Sequence, residues 1–186
     1  MKVKKIGLLG KGGSGKDEVA NILRRKGYTF VAFSDGLYDI CRNFYNMKEK
    51  DRALLQDVGK AMRSVNTDVF VNRALNDLKG HAMQGVSDVR HVNEYEKLKN
   101  NGFKFVRIEA SLPIRIDRIK SRDHIGCDKE YVDRLENNPI ENYLNDYPVD
   151  YTIVNEGSLE DLKTAVDKML EELEEVWSSS FFCRDL

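Results

Sequence analysis

A glycine-rich segment close to the first residue constrains the fold of this chain more than any other feature. Residues 10–17 are Gly-Lys-Gly-Gly-Ser-Gly-Lys-Asp, and they lie between a short apolar run and a helical stripe. Glycines allow the backbone to turn its N–H groups inward around a phosphate, because a Cβ would block that path. The following helix points its positive end at the same anion, and Lys16 adds a cation. The pattern fits the phosphate-binding motif GxxxxGK, which predicts a strand, this loop and a helix in succession.

The rest of the chain alternates short apolar runs with helical stripes, which is typical of an α/β fold with a parallel sheet. The last helix begins at a capping box formed by Ser158 and Asp161, and its apolar stripe extends to Val176. We predict five β-strands, at residues 5–9, 29–33, 84–88, 103–110 and 151–154.

The spacing of these elements predicts one domain over residues 1–176, followed by a tail at 177–186. Residues 37–80 carry helical stripes without a convincing strand, and a helical insertion of this kind forms a natural wall for a substrate cleft. We expect a lid over about residues 112–146, since its second half is polar and contains Gly126.

The composition excludes several classes of function. The 186 residues include 30 basic and 31 acidic side chains, so a bulk basic surface for nucleic acid is not expected. No apolar run approaches the roughly 18 residues that span a membrane. The three cysteines, Cys41, Cys127 and Cys183, are too far apart for a CxxC metal or redox motif, which favours free thiols in a reducing compartment. We predict small-molecule partners and a monomer or homodimer.

Asp17 occupies the position at which a Ser or Thr hydroxyl normally ends the phosphate-binding motif. Two like unit charges about 4 Å apart repel by about 4 kcal/mol at an effective dielectric constant of 20. We therefore hypothesise that Mg²⁺ lies between Asp17 and the bound phosphates, directly or through a water.

Other segments distinguish among nucleotide-binding classes. The chain has no NKxD motif for guanine. A motor ATPase usually follows its sheet aspartate with a water-activating glutamate, whereas here the third predicted strand ends at Asp88 and Arg90 lies two residues beyond it. This pattern favours an anionic acceptor over water.

A basic stripe follows the fourth predicted strand. Ser111 is placed to cap a helix whose apolar face holds Leu112, Ile116 and Ile119. At 100° per residue, three arginines lie about a quarter turn from that face, and their charge suits the equatorial oxygens of a transferring phosphoryl group: Arg115, Arg118 and Arg122. Five further residues are candidates for binding an acceptor's hydroxyls and phosphate: Asp35, Arg42, Arg63, Asp88 and Arg90.

Three motifs together give a family resemblance. Residues 14–17 (Ser-Gly-Lys-Asp) resemble the Asp-ended phosphate loop of bacteriophage-type deoxynucleoside monophosphate kinases, within the adenylate-kinase-like group of P-loop kinases. Residues 54–59 followed by Arg63 are similar to the "LQ.LG" helix of that family, and residues 86–94 closely match its "SDVRxxNE" segment.

The resemblance implies a three-layer P-loop fold with sheet order 2-3-1-4-5, ATP with Mg²⁺ as phosphoryl donor, and a (deoxy)nucleoside 5′-monophosphate as acceptor. From the cysteines and the lack of a long apolar run, we predict a cytoplasmic location, which is the host cytoplasm if a phage encodes the chain. Residues 149–159 are similar to the family's closing strand and loop, where the backbone contacts adenine, which makes Asn155 and Gly157 candidates for ATP binding. The same segment is similar to dephospho-coenzyme A kinases.

We expect the following roles. Lys16 and the loop Gly10, Lys11, Gly12, Gly13, Ser14 and Gly15 bind the donor, while Asp17 and Asp88 organise the metal. Four arginines neutralise the transferring group: Arg90, Arg115, Arg118 and Arg122. Two alternatives stay open: a dephospho-coenzyme A kinase-like enzyme, and a P-loop module that binds nucleotide without transferring a phosphoryl group.

Overall fold

The computed structural model of the chain describes residues 3–123, residue 132 and residues 146–181. Its strands form one sheet in the order β2-β3-β1-β4-β5, and every neighbouring pair is parallel. This topology confirms the predicted fold class and strand order. The strands are β1 (Lys5–Leu9), β2 (Thr29–Val31), β3 (Gln84–Val86), β4 (Lys104–Glu109) and β5 (Tyr151–Val154).

The helices cover both faces of this sheet. Those with described bounds are α1 (Lys16–Arg25), α2 (Phe33–Tyr45), α3 (Arg52–Val65), α4 (Val69–Asp77), α5 (Val92–Asn100), α6 (Leu112–Asp123) and α7 (Leu159–Phe181). In the part of the chain that the structure describes, none of them is long and apolar enough to cross a membrane.

Two apolar cores hold the layers together. On one face, Ile6, Ile108 and Ile153 of the sheet pack with α1 and α7. On the other face, Phe105 and Val86 pack with α4 and α5. A third cluster joins α2 and α3 around the buried free thiol of Cys41. The predicted free cysteines Cys127 and Cys183 lie outside the described residues.

Strands β2 and β3 each end two residues earlier than the sequence predicts, and Asp88 explains the early end of β2. The predictions extended to residues 33 and 88, whereas β2 ends at Val31 and β3 at Val86. The Asp88 carboxylate accepts the backbone N–H groups of Phe33 at 2.7 Å and Ser34 at 3.2 Å. These bonds satisfy the first donors of α2, so the helix begins directly after β2. Strand β4 is likewise one residue shorter at each end than the predicted 103–110.

The predicted helical insertion corresponds to α2, α3 and α4. The first half of the predicted lid is α6, while residues 124–131 and 133–145 lie outside the described residues, so the lid stays a prediction. Ser158 and Asp161 form the predicted capping box, with the Ser158 N–H donating to Asp161 Oδ2 at 2.8 Å. Helix α7 continues to Phe181, past the predicted end at Val176, and residues 182–186 are not described.

Met169 tests the core between the sheet and α7. Its side chain is fully buried, whereas that of the neighbouring Lys168 is exposed. We expect Met169→Ala to lower the free energy of unfolding by about 2–5 kcal/mol, because truncation leaves a cavity. Lys168→Ala, the matched control, changes it by about 0.5 kcal/mol or less. Equal unfolding midpoints in urea for the two variants would contradict this packing.

Candidate functional site

The glycines of the phosphate loop are required by conformation and by close neighbours. Gly13 and Gly15 have φ values of 79° and 99°, in the region that favours glycine. A Cβ on Gly13 would lie 2.7 Å from the carbonyl oxygen of Arg115, and one on Gly15 would lie 2.3 Å from Asn155 Nδ2. The loop is therefore packed tightly against α6 and against the residue that follows β5.

Lys16 extends across the loop that precedes it. Its ammonium group donates to the carbonyl oxygens of Gly10 and Lys11, the latter at 3.1 Å. Helix α1 begins at this lysine, and its N-cap Gly15 provides no side-chain cap. A helix N-terminus with adjacent backbone N–H groups and a lysine is a ready site for phosphate.

Asn155 and Arg118 fix the far side of the loop. The side chain of Asn155 is buried, and its Nδ2 donates to the carbonyl oxygen of Ser14 at 2.8 Å. Arg118 donates to the same carbonyl and to Asn155 Oδ1, both at 3.4 Å. The backbone N–H of Asn155 donates to the backbone carbonyl oxygen of Glu109 at 2.7 Å, which anchors Asn155 at the end of the sheet.

A cavity of about 400 Å³ adjoins the loop at the carboxyl ends of β1, β4 and β5. Arg115 lines it, and only 4% of this residue is exposed. Its Nε and Nη1 atoms have no hydrogen-bond partner among the described residues, and the same holds for the hydroxyl of Ser14 in the cavity wall. Leaving two buried guanidinium nitrogens without partners is costly, so the chemistry of this cavity suits an anionic group.

The three predicted arginines of α6 have different environments. Arg115 and Arg118 lie against the phosphate loop, as the contacts above show. Arg122 is exposed near the end of the helix. The structure thus brings two of the three to the loop.

A second group of charged residues follows β3, on the opposite side of β1. Glu94 accepts the backbone N–H groups of Arg90 and His91, each at 3.0 Å, and lies 3.7 Å from the guanidinium of Arg63. Burial raises the pKa of the Glu94 carboxyl, and the two N–H donors and Arg63 offset only part of that rise. Burial, with the charges of Arg63 and Arg90, lowers the pKa of His91.

The remaining predicted residues lie further along the helical layer or after β5. Asp35 is exposed and accepts the backbone N–H of Ala32 at 2.9 Å, as a cap of α2. Arg42 is exposed on α2, 5.3 Å from the ring centroid of Tyr38. Gly157 lies beside the start of α7, where a Cβ would meet Asp161 at 2.6 Å. The described contacts do not join Asp35 or Arg42 to the phosphate loop.

Asp17 is compatible with a magnesium site. It is exposed in the first turn of α1, next to the loop. No group of three His, Cys, Asp or Glu residues with metal-site geometry occurs among the described residues. Mg²⁺ needs no such cage, because it is commonly held by one or two carboxylates together with substrate phosphates. Both oxygens of Asp88 already accept N–H groups from α2, so a metal there would use their remaining lone pairs.

Sequence reasoning missed two side chains of this region. Asn155 was expected to contribute through its backbone, yet its buried amide holds Ser14. Glu94 was noticed only as the last residue of a motif. A glutamate on the apolar face of α5, next to Tyr95 and before Leu98, was the available signal, because a carboxylate at a buried position needs partners.

The sheet order and the glycine loop, with arginines held against it, define a P-loop kinase-like nucleotide-binding fold. Residues 6–143 match the AAA_18 family model, described as an AAA domain, and the chain belongs to that family. The narrower resemblance to phage deoxynucleoside monophosphate kinases stays a prediction.

Relatives and solved structures are similar to this chain over most of its length. A UPF0200 protein of Saccharolobus islandicus is 26% identical over 179 residues, covering 91% of this chain and 93% of the relative. A UPF0200 protein of Pyrococcus furiosus is 25% identical, covering 88% of this chain and 94% of the relative.

TT1252 from Thermus thermophilus, a solved structure, has a TM-score of 0.62 at 24% identity, covering 93% of this chain and 99% of that one. Shikimate kinase from Acinetobacter baumannii, solved with shikimate, also has a TM-score of 0.62, at 14% identity and 91% and 94% coverage. These two structures share the fold.

Asn155 tests the support of the loop. We expect Asn155→Ala to lower the free energy of unfolding by about 1–3 kcal/mol, because it removes the 2.8 Å bond to the Ser14 carbonyl. ATP affinity should fall with it, since the loop backbone is then less well fixed. Denaturant unfolding and calorimetric titration measure the two effects, with exposed Asn76→Ala as control. A variant as stable as the control would contradict the role of Asn155.

Proposed function

We propose that this chain is an ATP-dependent kinase whose acceptor is a (deoxy)nucleoside 5′-monophosphate. An oxygen of the acceptor's phosphate attacks the γ-phosphorus of ATP. The bond from that phosphorus to the β–γ bridging oxygen breaks, and ADP leaves with the electron pair. The products are ADP and a nucleoside diphosphate.

The observation that carries this proposal is the presence of cationic groups on both sides of the phosphate loop. The loop follows β1, the central strand, and its neighbours in the sheet are β4 and β3. Arg115 and Arg118 come from the helix after β4, while Arg90 follows β3 and is joined through Glu94 to Arg63. One polyphosphate accounts for the first group. The second group supports an acceptor that has a phosphate of its own.

On the donor side, Lys16 and the loop amides bind the phosphates of ATP, and the backbone at Asn155 and Gly157 lies toward its adenine. Arg118 and the buried Arg115 neutralise charge on the transferring group, with Arg122 at the end of the same helix. Arg90 acts on that group from the other side. The helical wall contributes Asp35, Arg42 and Arg63 to the acceptor.

Magnesium, when bound, would neutralise phosphate charge on the donor. We propose that Asp17 holds it, directly or through a water, with Asp88 as the second carboxylate. The first turn of α1 tolerates Asp17 because the helix dipole favours a negative side chain there.

An acceptor panel tests the proposed reaction. The protein is incubated with ATP, Mg²⁺ and, in turn, each ribo- and deoxyribonucleoside monophosphate and dephospho-coenzyme A, and ADP is measured. We expect ADP only with a nucleoside monophosphate present. Turnover with dephospho-coenzyme A alone would assign the alternative kinase, and ATP binding without acceptor-dependent ADP would assign a non-catalytic module.

Two variants connect that activity to the loop. Lys16→Met should lower kcat/KM by about a hundredfold or more while the protein stays folded, because it removes a cation at the transferring phosphate. Lys26→Met, at the other end of α1, is the control. Full activity in Lys16→Met would contradict the assignment of Lys16 to the transferring phosphate.

Asp17→Ala tests the metal site. This variant should raise the magnesium concentration needed for half-maximal rate. An unchanged magnesium requirement would remove Asp17 from the metal site.

A further inference from the structure

Glu94 is a buried carboxylate in the first turn of α5. Only 3% of the residue is exposed, and Tyr95 and Leu98 of the same helix are buried beside it. Removing a carboxylate from water costs several kcal/mol unless hydrogen bonds and an opposite charge compensate. The partners of Glu94 therefore indicate what the residue holds in place.

Its two oxygens connect separate parts of the chain. Oε2 accepts the backbone N–H groups of Arg90 and His91, which form the segment between β3 and α5. Oε1 lies 3.7 Å from Nη2 of Arg63, in the last turn of α3. One side chain thus links the Arg90 backbone to the Arg63 guanidinium, although the two arginines are far apart in sequence.

Arg63 is also held by its other neighbours. Its guanidinium lies 4.6 Å from the ring centroid of the buried Phe70. Gly59, one turn earlier on α3, leaves room for it, since a Cβ there would lie 3.3 Å from Nη1. A third of the Arg63 side chain stays exposed, at 33%. The guanidinium is therefore held by Glu94 and Phe70, while part of the side chain stays accessible to solvent.

We propose that Glu94 is a positioning residue for the acceptor: it holds Arg63 and the Arg90 segment in one arrangement that receives the acceptor's phosphate. This inference rests on the proposed function, because it takes the Arg63 and Arg90 side to be the acceptor side. Glu94 does not touch the phosphate, whose charge its own would repel. It fixes the Arg63 guanidinium and the backbone of Arg90 before binding, which reduces the ordering cost of binding.

A carboxamide tests this role with little change of shape. Glu94→Gln has one oxygen acceptor instead of two. If that oxygen accepts the backbone N–H groups, the NH₂ group faces Arg63. If the oxygen faces Arg63, the bonds to the backbone N–H groups are lost. We expect KM for the acceptor to rise about tenfold or more, the size typical of lost support behind a binding residue. KM for ATP should change less than twofold. Glu96→Gln, exposed on the same helix, is the matched control and should match the wild type.

A binding measurement separates this inference from the proposed reaction. Protein saturated with Mg²⁺ and a non-hydrolysable ATP analogue is titrated with inorganic phosphate, so that the phosphate loop is already filled. We expect Glu94→Gln to weaken phosphate binding about tenfold relative to Glu96→Gln. The double variant Arg63→Met/Glu94→Gln should bind phosphate less than about twofold more weakly than Arg63→Met alone. The two losses are not additive because Glu94 acts through Arg63.

Phosphate affinity and ATP binding of Glu94→Gln together decide whether Glu94 has this positioning role. Phosphate affinity equal to that of the wild type in folded Glu94→Gln would overturn the inference, as would additive losses in the double variant. Loss of phosphate and ATP binding together would mean that Glu94 only stabilises the fold, which also overturns it. If no acceptor is phosphorylated, yet Glu94→Gln weakens phosphate binding as expected, the proposed reaction fails and the positioning role stands.

Discussion

The contact between the phosphate loop and helix α6 is the constraint on which the rest of the site depends. The backbone of α6 approaches Gly13 so closely that a Cβ would lie 2.7 Å from a carbonyl oxygen. Because the helix is fixed there, Arg115 lies at the loop side of the cavity and Arg118 reaches the Ser14 carbonyl. Glycine in the loop thus serves two purposes: it turns N–H groups toward phosphate, and it lets a cationic helix pack at backbone distance.

Sheet order then distributes charge around that loop. With β1 in the centre, the cations after β4 and those after β3 lie on opposite sides of the same loop. The two sides are held differently. Arg115 is buried without a hydrogen-bond partner for Nε and Nη1 among the described residues, while Arg63 is paired with the buried Glu94. Arg115 therefore has donors left for an anion inside the cavity. Arg63, in contrast, is already oriented by Glu94.

Local signals predicted much of this structure. The glycine loop, the five strands, the capping box at Ser158 and the helical layer depend on patterns within a few residues, and the structure has them. The features that sequence could not give depend on contacts between distant residues. Strand β2 ends early because Asp88, more than fifty residues away in the sequence, accepts the first N–H groups of α2. The burial of Arg115 and the partners of Glu94 likewise follow from tertiary packing, which periodicity does not report.

Amide hydrogen exchange with and without MgATP is the sharpest test of phosphate binding by the loop, because it reports on the loop backbone itself. If the loop binds the phosphates of ATP, exchange slows for residues 10–17, where the N–H groups would bond to phosphate, and in the first two turns of α6. Helix α7, which packs on the sheet face away from α4 and α5, should exchange at the same rate in both states. Unchanged exchange over residues 10–17 at saturating MgATP would contradict phosphate binding by this loop.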